Sequence, residues 1–160
     1  MTFPLSRRSF VLASCPVLAW GQVQPSTAAL PVARSLPDEL AQAIRQGQGL
    51  LVMVSLEGCP FCKMARQSHL LPMWREGLPL VQVDMRSTQP VRDFQGQMVT
   101  HEDLVRRWRV SIAPTLLFFG PGGREVAERM EGAYQPDFYG PYLDERLENA
   151  RQQVRRWGGR

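Results

Sequence analysis

Two cysteines carry the most chemical information in this chain. Cys59-Pro60-Phe61-Cys62 is a Cys-x-x-Cys. It follows Leu50 to Leu56, a near-continuous apolar run that suits a strand buried on both faces. Pro60 is a residue that helices favour in their first turn. A cysteine at such a strand-to-helix junction meets unpaired backbone N–H groups and the positive end of the helix dipole, both of which favour a thiolate. The thiolate is the nucleophile of disulfide exchange. Cys59 is thus the expected attacking sulfur. Cys62, one turn on and buried beneath it, is the expected resolving sulfur, close enough to close a redox-active disulfide. Lys63 adds a positive charge to the first turn, and Pro60 and Phe61 tune the redox poise.

The same pair has other uses. It could be half of a zinc site, but the chain has no second Cys-x-x-Cys. His69 stands seven residues past Cys62, which on a helix is about 10 Å and too far for one metal to bridge. His101 is the better candidate ligand, since its loop could approach the pair. A non-enzymatic Cu(I) carrier built from Cys59 and Cys62, with His101 as an optional third ligand, is the alternative function, because soft thiolates favour Cu(I). A purely structural disulfide gains little entropy from so short a loop.

The elements that must position the pair follow from pattern. Pro37-Asp38-Glu39, followed by Leu40, Ala43 and Ile44, starts a helix. A second helix fits Pro60 to about Trp74, with Pro72 ending or kinking it. Leu78 to Val83 is a second buried strand, and Asp84 to Met98 is an irregular loop. Thr100 with Asp103 opens a short helix to about Trp108 through a capping box. Leu116 to Phe119 is a strand, Gly120-Pro121-Gly122-Gly123 a turn, and Arg124 to Glu131 the returning arm of a hairpin. Pro136-Asp137 opens a last helix with Phe138, Tyr142, Leu143, Leu147 and Val154 as its apolar stripe. Strands alternating with helices and closing on a hairpin imply an α/β fold, a central mixed sheet flanked by helices.

With 160 residues the chain makes one domain, here 37–157. No apolar run reaches the roughly 20 residues that span a bilayer. Three cysteines are too few for a disulfide scaffold or a four-cysteine zinc site. Residues 1–21 read as an export signal: Arg7 and Arg8, then an apolar stretch from Ser9 to Trp20, then Ala19-Trp20-Gly21 with cleavage after Gly21. Ser6-Arg7-Arg8-Ser9-Phe10-Val11-Leu12 matches a twin-arginine motif. The alternative is a lipid anchor on Cys15, within Leu12-Ala13-Ser14-Cys15. Residues 22–36, rich in Pro, Ala, Ser and Gln, read as a flexible lead-in. The net charge of +4 falls to +2 without the signal, which argues against nucleic acid as a partner. The expected location is the periplasm.

Two separated motifs resemble the thioredoxin superfamily. One is Val54-Ser55-Leu56-Glu57-Gly58-Cys59-Pro60-Phe61-Cys62-Lys63-Met64, the other Trp108-Arg109-Val110-Ser111-Ile112-Ala113-Pro114-Thr115-Leu116-Leu117-Phe118-Phe119, with Gly132 following. The resemblance implies a thioredoxin-like fold and a thiol:disulfide oxidoreductase acting on protein cysteines. It needs no dissociable cofactor and no metal. It also implies that Pro114 is the family's cis-proline, presenting the backbone of Ala113 to an extended substrate. The buried acid that thioredoxins keep six residues before the first cysteine falls here on Met53; Glu57 is the nearest possible substitute. The expectation is a monomer working as a reductant, recharged by a membrane electron-donor protein, since an exported reductant works in an oxidising compartment.

Overall fold

The computed structural model describes residues 29–132 and 136–158. The expected signal (1–21), with Cys15 and Gly21, lies outside the described residues, as do residues 22–28 of the lead-in. Four strands form one sheet: β1 (Leu50–Ser55), β2 (Leu80–Asp84), β5 (Thr115–Gly120) and β6 (Arg124–Glu131). Their order is β2-β1-β5-β6. β1 runs parallel to β2 and antiparallel to β5, and β6 pairs antiparallel with β5. The sheet is therefore mixed, as the alternation of elements implies.

β1 and β5 are the central strands, and all their residues are buried. Because successive side chains point to opposite faces, β1 supplies two cores. Leu51 and Met53 join Leu116 and Phe118 of β5 in a cluster that contains Cys62 and Ala65. Leu50, Val52 and Val54 join Leu117 and Phe119 in the opposite cluster. The first is covered by α2 (Pro60–Ala65), α3 (Leu71–Arg75) and α5 (Pro136–Gly158), the second by α1 (Leu36–Arg45) and α4 (His101–Arg107). Among the described residues, no helix is long and apolar enough to cross a membrane.

Four sequence expectations change. The lead-in does not extend to residue 36. Leu30 and Ala33 are buried, the Ala33 N–H donates to the Gln82 carbonyl, and the Gln82 N–H donates to Pro31. Residues 30–35 thus dock along the free edge of β2, where they satisfy backbone groups the sheet leaves open.

The single helix expected from Pro60 to Trp74 is interrupted. α2 widens into a π turn, Arg66–Leu70, before α3 begins. Pro72 can give no N–H to Ser68, and its ring would press on the Ser68 carbonyl in a regular α-helix. The wider turn, centred on Ser68, relieves that conflict.

The stretch read as an irregular loop contains a hairpin, β3 (Pro90–Arg92) and β4 (Met98–Thr100). Asp93 builds its turn by accepting N–H bonds from Gln95 and Gln97 at 2.9 and 2.8 Å. The expected apolar stripe of α5 is also rotated. Tyr139, Leu143, Leu147, Ala150 and Val154 are buried, whereas Phe138 and Tyr142 face outward. By contrast, the capping box at Thr100 and Asp103 forms as the sequence indicates.

Candidate functional site

The site is built at the C-terminal end of β1. Cys59 is the N-cap of α2, with Pro60 in its first turn. A cap residue has extended backbone while the next is helical, and Cys59 meets this with φ −76° and ψ 115°. Its Sγ accepts the Cys62 N–H over 3.2 Å. One of the donors that a helix N-terminus leaves open is therefore satisfied by sulfur. The Cys59 thiol also approaches the Ala113 carbonyl, at 3.8 Å. The Ala113–Pro114 bond is cis, as the resemblance implies. Gly132 donates its N–H to the Pro114 carbonyl over 2.9 Å and so ties this corner to the end of β6.

The two cysteines stand as free thiols in different surroundings. Cys59 is half-buried, and Cys62 is 1% exposed within the core cluster. The Cys62 thiol is pushed up to about 11, first by burial and then by its hydrogen bond to Cys59. A backbone bond at Leu56 and the Ser55 hydroxyl pull the other way. At neutral pH the inner sulfur therefore keeps its proton. The outer one is open to solvent. This asymmetry suits one sulfur to meeting a substrate and the other to a following, internal attack.

Around Cys59 the surface is partly apolar. Phe61 is 49% exposed, and Met64 and Ile112 are also exposed. Beyond Pro114, a cavity between β6 and α5 is lined by Met130, Gly132, Phe138, Tyr139 and Tyr142. The opposite flank is a cleft of about 600 Å³ whose walls include Glu57, Lys63, Arg66 and Asp84. Pro60, Glu57 and Lys63 are all exposed. Neither Glu57 nor Lys63 is among the groups that act on the Cys62 thiol.

His101 does not join the site. It is 1% exposed, its Nδ1 accepts the Asp84 N–H at 3.2 Å, and its Nε2 lies 3.1 Å from the Ala33 carbonyl. Both ring nitrogens are engaged in tying the docked lead-in to β2, so His101 is not placed as a third ligand to the pair. Among the described residues, no group of three or more His, Cys, Asp or Glu side chains could hold a metal ion.

Two residues near the pair escape a motif reading. Ser55 is 1% exposed at the end of β1. Arg66 donates from Nη2 to its hydroxyl at 2.8 Å and from Nε to Gln82 Oε1 at 3.0 Å. The signal was available: Ser55 is the one polar residue in an apolar run, and Arg66 follows Cys62 by four, the spacing that shares a helix face.

A family model for a thioredoxin-like domain matches residues 36–146. The chain belongs to the thioredoxin-like family. The model spans both cysteines, the cis-proline and the whole mixed sheet. No functionally curated protein matches the chain by sequence. Among solved structures it is similar to the DsbH oxidoreductase, at 20% identity and a TM-score of 0.53, over 84% of this chain and 95% of the other. It is also similar to a thioredoxin from Thermus thermophilus, at 22% identity and a TM-score of 0.50, over 73% of this chain and 87% of the other. A third similar structure is the mitochondrial thioredoxin 3 of Saccharomyces cerevisiae, at 18% identity and a TM-score of 0.50, over 78% of this chain and 99% of that one. At these identities the likeness is one of fold.

Proposed function

We propose that the protein is an exported thiol:disulfide oxidoreductase that exchanges disulfides with protein cysteines and works as a reductant. The observation that carries this reading is the placement of Cys59. Its sulfur caps α2, lies beside the cis Ala113–Pro114 bond, and has Cys62 buried one turn behind it.

In the reductive direction the Cys59 thiolate attacks a client disulfide. One client sulfur leaves as a thiolate and takes up a proton, and a Cys59–client mixed disulfide remains. The Cys62 sulfur then attacks Cys59. The second client sulfur leaves with the electron pair, and the oxidised protein carries a Cys59–Cys62 disulfide. Two electrons have passed to the client. Phe61, Ile112 and the backbone of Ala113 form the surface that an extended client segment would meet.

Strong oxidants of this fold gain their power from a stabilised reduced form, so the redox potential decides the direction. Export rests on Arg7, Arg8 and the apolar stretch after them. In an oxidising compartment such a reductant needs a membrane protein to return it to the dithiol form. It acts as a monomer.

Equilibration in glutathione buffers with an alkylation readout tests the direction. A potential near or below about −230 mV supports a reductant, and one near −120 mV, where strong oxidants lie, overturns it. Cys62→Ser tests the class. An oxidoreductase so altered retains client proteins as mixed disulfides on Cys59. A protein that traps none, yet loses Cu(I) binding, is a metal carrier.

A further inference from the structure

Among the described residues, no carboxylate acts on the resolving thiol. The position that would supply one is Met53, which is fully buried in the same apolar cluster as Cys62. One pleat further along β1, side chains return to that face, and there stands Ser55. The residue is buried, its hydroxyl accepts the Arg66 guanidinium at 2.8 Å, and it is one of the groups that lower the Cys62 thiol. Arg66 is in turn held by Gln82 of β2 at 3.0 Å. A chain of hydrogen bonds thus runs from Gln82 of the sheet through a fixed positive charge to the Ser55 hydroxyl. Because Arg66 donates to the hydroxyl oxygen, the single Ser55 proton is directed away from the guanidinium and can be given to another acceptor.

We propose that Ser55 and Arg66 are the positioning pair for the resolving step: the Ser55 hydroxyl, oriented by Arg66, donates to the Cys62 sulfur as that sulfur becomes the attacking thiolate. The inference rests on the site being a thiol–disulfide exchanger. In the step itself the Cys62 S–H bond breaks and a Cys62–Cys59 bond forms. The Cys59–client bond breaks, and the electron pair leaves with the client sulfur, which takes the proton. Arginine stays charged throughout, so it accepts no proton. It acts by holding the hydroxyl and by placing positive charge near a sulfur that becomes negative. The other charged or titratable groups nearby are Cys59 at the cap of α2, Tyr139 in the cluster that holds Cys62, and Glu57, Lys63 and Asp84 on the cleft beside Cys59. Of these only Cys59 acts directly on Cys62, and it opposes the thiolate.

The step can be read with a chromogenic aromatic disulfide in stopped flow. Attack by Cys59 releases a first coloured thiol, and attack by Cys62 on the resulting mixed disulfide releases a second. Ser55→Ala and Arg66→Met are expected to slow the second release roughly tenfold, the scale of one lost charge-assisted hydrogen bond. The first release should stay within about twofold. The pH profile of the second phase should move to higher pH, and Arg66→Lys should recover part of the rate. Ser55→Ala is nearly isosteric and keeps the fold testable if Arg66→Met does not. Unchanged second phases, or both phases slowed alike, overturn the proposal. A wild-type protein that never releases the second thiol overturns the oxidoreductase reading itself, before any variant is made.

Discussion

A thiol carried beneath a helix N-terminus loses water and gains a sulfur neighbour, and both keep its proton on. Cys62 shows this, standing near 11 against an ordinary 9.0, with burial the first cause and Cys59 the next. Below pH 9 the folded and unfolded chains both hold this proton, so stability does not depend on it. Between about 9 and 11 the unfolded chain releases it first, and unfolding is favoured as pH rises. The reduced protein should therefore lose on the order of 2 kcal/mol across that window. Urea midpoints of reduced wild type and Cys62→Ala, compared from pH 7 to 10.5, measure it. The difference between them should be flat below pH 9 and shift against wild type above it. A constant difference throughout would show that the inner thiol is not perturbed by folding. The cysteines themselves were legible from spacing alone. Ser55 stood out as the one polar residue of its run, but its partner did not, because a serine in a strand carries no sign of what lies across from it.

Individual elements show where local rules suffice. Thr100 and Asp103 satisfy each other within one turn, so the cap of α4 could be read directly. The β3–β4 hairpin could not, because its short strands alternate weakly and its turn depends on a distant partner. Asp93 is 2% exposed. Besides its two N–H bonds it receives Arg107 Nη1 from α4 at 2.6 Å. Asp93→Ala should cost about 2–3 kcal/mol, since it strands two donors and removes the partner of a charge. Asp93→Asn keeps an acceptor and should cost less. Thermal unfolding of the two variants ranks them, and equal losses would show that the carboxylate charge contributes nothing. The turn before β6 makes a similar point through sterics. Gly123 has φ +67°, and a Cβ there would meet the Phe94 ring at 2.5 Å. Gly123→Ala should therefore destabilise by about 1–3 kcal/mol, read as a lower urea midpoint with unchanged slope.

The whole molecule is held at its β2 edge by residues that composition marks as lead-in. Leu30 and Ala33 are buried there, three backbone bonds join residues 31–34 to Gln82 and Arg92, and His101 reaches Ala33 from the other side. A chain beginning at Leu36 should be less stable than one beginning at Ala29 by about 2–4 kcal/mol, the worth of one buried leucine and a few edge hydrogen bonds. Denaturant unfolding of the two lengths measures this, and equal midpoints would show that the edge contact adds nothing. Sequence by itself determined the alternation of strands and helices, the Cys-x-x-Cys at a strand-to-helix junction and, through the second motif, the place of Pro114, because each is carried by neighbours a few residues apart. The tertiary structure alone decided that His101 supports the docked edge and that Arg66 holds the Ser55 hydroxyl. It also decided that Phe138 and Tyr142 turn outward beside Pro114. Each of these depends on which segments of the chain the sheet brings together, and side-chain hydrogen bonds and burial across such distances leave no period in the sequence.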